Sequence, residues 1–182
     1  MTLYNTKAIM LVEDEYQELE VWYPYLRLKE EGVEVTTVGS GTKSTYESKL
    51  GYPIAADREP TEINIDEFDA VIIPGGFAPD NMRLHEPMID LVREAFARGK
   101  IVASICHGGW VLCSAGVLKG KRATGYRPIR DDVRNAGGTW VDNEEVVRDG
   151  NVITSRTPED LPAFAREIVS ALRERAQQKI AA

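Results

Sequence analysis

Residues 101–109, Ile-Val-Ala-Ser-Ile-Cys-His-Gly-Gly, decide the fold. Ile101, Val102 and Ile105 make an apolar, β-branched run that reads as a strand buried on both faces. The run stops at Cys106. Past Gly108 and Gly109 a helical pattern begins with Trp110, Val111, Leu112, Cys113 and Ala115. Ser104 and Gly108 stand two before and two after the cysteine. That small-x-nucleophile-x-small spacing is the logic of a strand–turn–helix nucleophile elbow, written with Cys in place of Ser. The turn crowds its flanks, so only small side chains fit, and Gly adopts positive φ without steric cost. A thiol at the top of the turn meets a helix N-terminus, whose partial positive charge favours the thiolate. The competing reading is an inert buried cysteine ending a strand. The small flanks and the adjacent His107 favour the reactive reading.

Upstream, residues 7–13 (KAIMLVE) read as a buried strand. Leu19, Trp22, Tyr23 and Leu26 recur at i, i+3, i+4, i+7 and predict a helix with that stripe on the core, closed by Gly32. Pro24 inside it predicts a kink or a late start. Glu20 lies on the first turns near the end of strand one. From periodicity it reads as one solvated carboxylate among Glu15, Glu18, Glu30 and Glu31. Residues 34–38 (EVTTV) are a second strand. The turn-rich stretch 39–66 predicts a hairpin around Gly51 plus a short strand at the sheet edge.

Residues 68–73 (FDAVII) are another buried strand, ending in Pro74-Gly75-Gly76. Two glycines there let backbone N–H groups approach a ligand, or simply make a tight turn. Pro87 opens a helix with Met88, Leu91, Val92, Ala95 and Phe96 inward, ended by Gly99. After the elbow come a short strand at 122–124, a loop with Tyr126 and a short helix at 129–135. Residues 144–148 and 151–155, joined by Asp149-Gly150, predict a hairpin. Thr157 and Pro158 start the last helix, with Leu161, Phe164, Ala165, Ile168, Val169 and Leu172 on its core face and a frayed tail at 177–182. Buried strands alternating with helices predict a parallel α/β sandwich with its ligand site beyond the strands' C-terminal ends. Glu20, Gly75, Gly76 and Cys106 all fall on that edge.

The 182 residues predict one domain over 1–182. A formal charge of −7 argues against nucleic acid as a partner. No apolar run reaches the ~18 residues of a membrane span, and no basic, then apolar leader opens the chain. The expectation is a cytoplasmic protein that does not engage membranes. Cys106 and Cys113, two helical turns apart, form neither a disulfide scaffold nor a metal-ligand pattern, and Cys113 reads as core. A cysteine nucleophile needs a base and an oxyanion hole. The N–H of His107 with that of Gly75 or Gly76 could supply the hole. Only His85 and His107 exist, so no downstream histidine completes a triad and His107 is the available base.

The sequence resembles the ThiJ/PfpI superfamily, a flavodoxin-like relative of class I amidotransferases, and most of all its PfpI intracellular-protease branch. The matching stretches are 20–28 (EVWYPYLRL), 68–76 (FDAVIIPGG), 103–108 (ASICHG), 114–120 (SAGVLKG), 131–132 with 135–137, and 154–156. The resemblance implies a flavodoxin-like three-layer α/β/α sandwich and a cofactor-free enzyme. It makes Cys106 the nucleophile, His107 its neighbour, Glu20 the carboxyl that hydrogen-bonds the thiol and Tyr126 a site-lining tyrosine. Asp80 stands where the family often has a Glu that enters from a neighbouring subunit, one methylene longer, and Gly109 replaces a common proline.

The leading expectation is a peptide hydrolase working through a thioester. The alternative is a glyoxalase III or deglycase-like enzyme, in which Cys106 adds to an aldehyde and Glu20 moves a proton between carbons. A reading of another class is a redox-sensing stress or chaperone protein that oxidises Cys106. Acyl transfer requires His107 with Asp80; the other two chiefly require Cys106 with Glu20. A homo-oligomer, dimer or hexamer, is expected with the site near a subunit interface, where Trp22, Tyr23 and Tyr25 supply aromatic surface.

Overall fold

In the computed structural model, which describes residues 3–181, the chain opens with β1 (Lys7–Leu11), α1 (Glu18–Glu30), β2 (Glu34–Val38), β3 (Thr45–Glu47) and β4 (Pro53–Ala55). It continues through β5 (Ala70–Ile73), α2 (Ala78–Met82), α3 (Glu86–Ala97), β6 (Ile101–Ile105) and α4 (Gly109–Ala115). Then follow β7 (Arg122–Ala123), α5 (Arg130–Asn135), β8 (Thr139–Trp140), β9 (Val146–Asp149), β10 (Val152–Ser155) and α6 (Leu161–Ala181). Six strands form one sheet in the order β2-β1-β5-β6-β10-β9. All its pairings are parallel except β9 against β10. Every residue of β5 and β6 is buried, as near-continuous apolar runs require in a sheet covered on both faces. Helices α1 and α6 pack on each other, as do α3 and α4, with the sheet between them. This is the expected flavodoxin-like α/β/α sandwich. The strand order turns outward in opposite directions from β1 and β5, so their C-terminal loops flank a crevice suited to a ligand.

Three local expectations fail, each for a physical reason. First, α1 is rotated: its buried residues are Glu20, Val21, Pro24 and Leu28. Leu19 and Leu26 are 56% and 59% exposed, so the apolar stripe read from the sequence lies largely outside. Pro24 neither delays nor interrupts the helix, which starts at Glu18 with Gln17 as its cap. Second, 39–66 contains the hairpin, as β3 and β4, but the extra strand is replaced by two 3₁₀ turns, Pro60–Glu62 and Ile65–Glu67. Third, the last helix does not fray at Gln177 but continues to Ala181; Ala182 lies outside the described residues. Its end is held by Lys179, which pairs with the buried carboxylate of Asp69.

Asp69 pins the end of the sheet opposite the site. It accepts the Lys7 N–H at 3.3 Å and the Arg175 Nε–H at 3.1 Å, besides Lys179. Burial alone would raise its pKa. The hydrogen bonds and charges of Lys179 and Arg175 outweigh burial and hold the carboxyl below its ordinary value. A depressed folded-state pKa gives stabilisation that is fully present above about pH 4 and is lost as pH falls through the folded value. Asp69→Ala should therefore lower Tm at pH 7 by roughly 2–5 °C, because the partly exposed Arg175 and Lys179 and the Lys7 N–H lose the buried carboxylate that anchors them. Thermal melts should show the gap to wild type closing below about pH 4; a constant gap would exclude this linkage.

Candidate active site

The elbow forms where β6 ends. Cys106 has φ +58°, a left-handed conformation that side chains other than glycine rarely adopt. A 3₁₀ turn, Cys106–Gly108, leads into α4. At Gly108 a Cβ would lie 2.8 Å from the Ile73 carbonyl oxygen and 3.0 Å from that of Pro74. Only glycine lets the elbow press onto the loop after β5. The thiol is nearly covered, with Cys106 9% exposed, and the backbone N–H groups of His107 and Gly76 favour its ionised form.

Gly75, the other candidate donor, is committed elsewhere: its N–H donates to Glu20 Oε2 at 2.7 Å. A Cβ on Gly75 would sit 2.6 Å from that oxygen and 2.8 Å from Cys106 Cβ. The pair of amides facing the sulfur is thus His107 with Gly76.

Glu20 is fully buried. The Gln17 side-chain oxygen accepts the Glu20 N–H at 3.1 Å, which fixes the first turn of α1 and aims the carboxyl inward. Oε1 has no nitrogen or oxygen partner; the carboxyl's remaining contact is the Cys106 thiol. Burial pushes Glu20 up to about 7, against the Gly75 N–H, the thiol and the Lys49 charge. Burial likewise pushes the Cys106 thiol up to about 12, with the charge of an ionised Glu20 adding to it. Above about pH 7 and below about 12 the two groups thus hold a single negative charge between them. It lies on the carboxylate facing a thiol, or on a thiolate facing a protonated carboxyl. The free Oε1 suits the proton, and the two amides at the sulfur suit the thiolate. The expectation that a helix start favours the thiolate is therefore revised: α4 begins three residues later, burial and Glu20 both raise the thiol, and only the backbone amides of His107 and Gly76 work the other way.

His107 Nδ1 lies 3.6 Å from Cys106 Sγ, within reach of a hydrogen bond to sulfur. Three rings surround the imidazole: Trp110 at 4.8 Å, Tyr126 at 4.9 Å and Phe77 at 6.4 Å between centroids. Burial, then the charge of Lys49, holds His107 below the usual histidine range and so neutral at pH 7. Tyr126 is also fixed through the backbone, its N–H donating to the Cys106 carbonyl at 3.2 Å. Asp80 sits on α2, exposed. Among the described residues no carboxylate lies within hydrogen-bond distance of either His107 nitrogen. The fold brings together Cys106, Glu20, His107, Gly75, Gly76 and Tyr126 and leaves Asp80 on the exposed face of α2. Among the described residues no three His, Cys, Asp or Glu side chains form a metal-binding group.

Sequence reading missed Trp110, Phe77 and Lys49. Trp110 follows His107 by three residues, the spacing of neighbours on a helix face, and was within reach. Phe77 and Lys49 meet the site through the loop between β1 and α1. The Tyr16 carbonyl accepts the Lys49 N–H at 3.0 Å, and the Glu15 carbonyl accepts the Phe77 N–H at 2.9 Å. Contacts so distant in the chain leave no local signal.

The two thiols should react differently. Cys113 is half-buried, and burial together with Asp132 pushes it up to about 11. Iodoacetamide at pH 7.5 should modify Cys106 faster, with a rate that rises near pH 7 as the first proton leaves the Glu20–Cys106 pair. Equal labelling, or a Cys106 profile centred at the ordinary thiol value near 8.5, would dismiss the shared proton.

The profile of the DJ-1/PfpI family matches residues 6–171. Deglycase PfpI of Pyrococcus furiosus is 48% identical over 167 residues, covering 92% of this chain and 99% of that protein. Putative cysteine protease YraA of Bacillus subtilis is 37% identical over 169 residues, covering 93% and 99%. The crystal structure of Drosophila melanogaster DJ-1beta superposes with a TM-score of 0.85 at 28% identity, over 99% of this chain and 98% of that one. With its elbow, its six-stranded sheet and sequence identity along nearly its whole length, the chain belongs to the DJ-1/PfpI family.

Proposed function

We propose that this protein is a cofactor-independent enzyme of the deglycase or glyoxalase type, acting on 2-oxoaldehydes such as methylglyoxal and on their adducts. One observation carries the reading: a fully buried carboxyl, Glu20, faces the thiol with an oxygen to spare. The relative named Deglycase PfpI supports the same choice over peptide hydrolysis.

The Cys106 thiolate adds to the aldehyde carbon, and the Glu20 proton passes to the carbonyl oxygen, giving a hemithioacetal. Glu20, now a carboxylate, takes the hydrogen from that carbon as a proton, and the electron pair moves onto the neighbouring ketone oxygen, giving an enediolate. Glu20 returns its proton to the second carbon while the hydroxyl proton on the first passes to the adjacent oxygen on the second. The product is a 2-hydroxyacyl thioester: one carbon is oxidised, its neighbour reduced, and no outside oxidant is needed. Water releases the hydroxy acid and restores the thiol. The amides of His107 and Gly76 face developing charge, and neutral His107 lies beside the reacting oxygens. A carboxyl near 7 is well matched to moving protons at neutral pH.

Purified protein assayed on methylglyoxal and on casein should turn over the first and leave the second essentially intact. Glu20→Gln should keep the fold and lose about 100-fold or more of the methylglyoxal rate, since an amide cannot carry the proton. Near-normal turnover by that variant would remove Glu20 from the mechanism.

We also propose a homo-oligomer, with the site near the subunit boundary. The outward stripe of α1 and the β3–β4 hairpin border a cleft of about 490 Å³ between Leu19, Trp22, Leu26, Leu50 and Tyr52. An apolar face of this kind suits a second copy. Peptide hydrolysis would need an acid behind His107, and Asp80 of a neighbouring chain is the candidate. Should the wild-type protein cleave casein after all, mixing inactive Cys106→Ala subunits with inactive Asp80→Ala subunits after dissociation tests this. Regained casein cleavage would establish a shared acyl-transfer site; none, in demonstrated mixed oligomers, would leave aldehyde chemistry alone.

A further inference from the structure

Among the described residues the His107 imidazole has no polar side-chain partner besides the Cys106 thiol, which lies 3.6 Å from Nδ1. A half-turn of the ring about its outer torsion would present a carbon to the sulfur in place of that nitrogen. In a catalytic triad a carboxylate on the other nitrogen opposes the turn. Here the ring stands instead beside Trp110, tilted by 49° at 4.8 Å, and Tyr126, tilted by 51° at 4.9 Å. A ring holds its neighbour only as firmly as it is itself held. Tyr126 is tied through the backbone, its N–H donating to the Cys106 carbonyl. Trp110 is tied by the tip of its side chain.

Trp110 lies on the first turn of α4, three residues past His107, and α5 supplies its anchor: the indole N–H donates to Asp132 Oδ2 at 3.0 Å. An ionised acceptor makes this bond stronger than one between neutral groups. Arg83, which closes α2, brings its Cζ to 5.8 Å from the same ring, and its Nε–H donates to Ser114 Oγ at 2.9 Å, one turn further along α4. Three helices thus converge on one indole. Asp132 is exposed, and among the described residues no cation lies within 4.0 Å of it, whereas its neighbour Asp131 holds Arg130 and Arg134. The indole N–H is its one side-chain partner among them.

We infer that Asp132 and Trp110 are positioning residues: the Asp132 carboxylate fixes the indole, and the indole holds the His107 ring with Nδ1 toward the sulfur. An aromatic clamp then stands where a triad has its acid. It orients the imidazole without stabilising an imidazolium, which suits a ring that stays neutral beside a carbonyl oxygen. The effect on rate rests on the proposed aldehyde chemistry, while the state of the ring is observable without turnover. The titratable and charged groups around His107 are Cys106 with its partner Glu20, Lys49 from the turn between β3 and β4, and Tyr126. Asp132 and Arg83 meet it only through Trp110.

The chain has only two histidines, so in proton NMR of the full-length protein His85, which precedes α3, is an internal control. Asp132→Ala should move the His107 Hε1 signal and leave that of His85 in place. Asp132→Asn, whose amide oxygen still accepts the indole N–H, should leave both. A carboxylate acting on the imidazole by its charge would instead make the two variants lower the His107 titration midpoint alike, and equal effects would overturn the clamp. Trp110→Phe keeps a ring but removes the N–H, so adding Asp132→Ala to it should change nothing further. On methylglyoxal, Asp132→Ala and Trp110→Phe should each lower kcat by about three- to tenfold with KM held within about twofold. Asp132→Asn should recover the rate, and the double variant should match Trp110→Phe. A merely structural Asp132 would lower Tm and would lower kcat again in the Trp110→Phe background. Such a further loss, or an unmoved His107 signal in Asp132→Ala, would overturn the inference. No turnover of methylglyoxal by the wild type would refute the aldehyde chemistry, and the two imidazole signals would still decide the clamp.

Discussion

The contact between the buried Glu20 carboxyl and the Cys106 thiol constrains the rest of the architecture. A carboxyl with no exposed surface is unfavourable unless it is neutral or well partnered. Here one N–H, from Gly75, and one thiol are its partners. Bringing them together rotates α1 so that Glu20 points in and Leu19 points out. It also requires a residue without a Cβ at 75, because any side chain there would overlap both the carboxyl and the cysteine. Finally it requires the elbow, since an ordinary strand end would not present the sulfur to that loop.

These demands conflict with local preference, and the surrounding packing absorbs the conflict. A positive φ at a cysteine costs on the order of 1–3 kcal/mol. It persists because β6 is fully buried between β5 and β10, so the strand cannot relax by shifting. The opposite end of the same sheet is fixed by Asp69 with Lys179 and Arg175. The loop between β1 and α1 completes the clamp by bonding to the hairpin on one side and to the loop after β5 on the other. Residues 39–66, which read as an edge excursion, therefore become a wall of the site through Lys49.

What could be read from the sequence follows from what is local. The strands, the elbow, the α3 and α6 core faces and the hairpin at Gly51 are short-range patterns, and the structure contains them. The phase of α1 was misread because its apolar residues cover the outside, while a carboxyl and a proline occupy the inside. Periodicity assumes that burial follows hydrophobicity, and that assumption fails where a polar group is buried for chemistry. Glu20 was accordingly visible through family resemblance and invisible to pattern. The choice between Gly75 and Gly76 as the second amide at the sulfur was open in the sequence, because it depends on which N–H Glu20 takes. The end of α6 was misjudged for a similar reason, its anchor being 110 residues away.

The state of His107 bears most on the kind of chemistry this geometry favours. In acyl transfer to a peptide, the histidine takes a proton from the nucleophile and delivers it to the leaving amine, so the imidazolium must be stabilised on the way. Here burial and the Lys49 charge oppose the imidazolium, and among the described residues no carboxylate stands behind it. Aldehyde chemistry asks less of the ring: a neutral imidazole can hydrogen-bond an oxygen without accumulating charge. A carboxyl pushed up to about 7, with Oε1 unpartnered, can take up and release the proton that must travel. Proton transport in this site thus falls to the carboxyl and not to the histidine. An acid would have to reach His107 before the balance could move toward peptide hydrolysis.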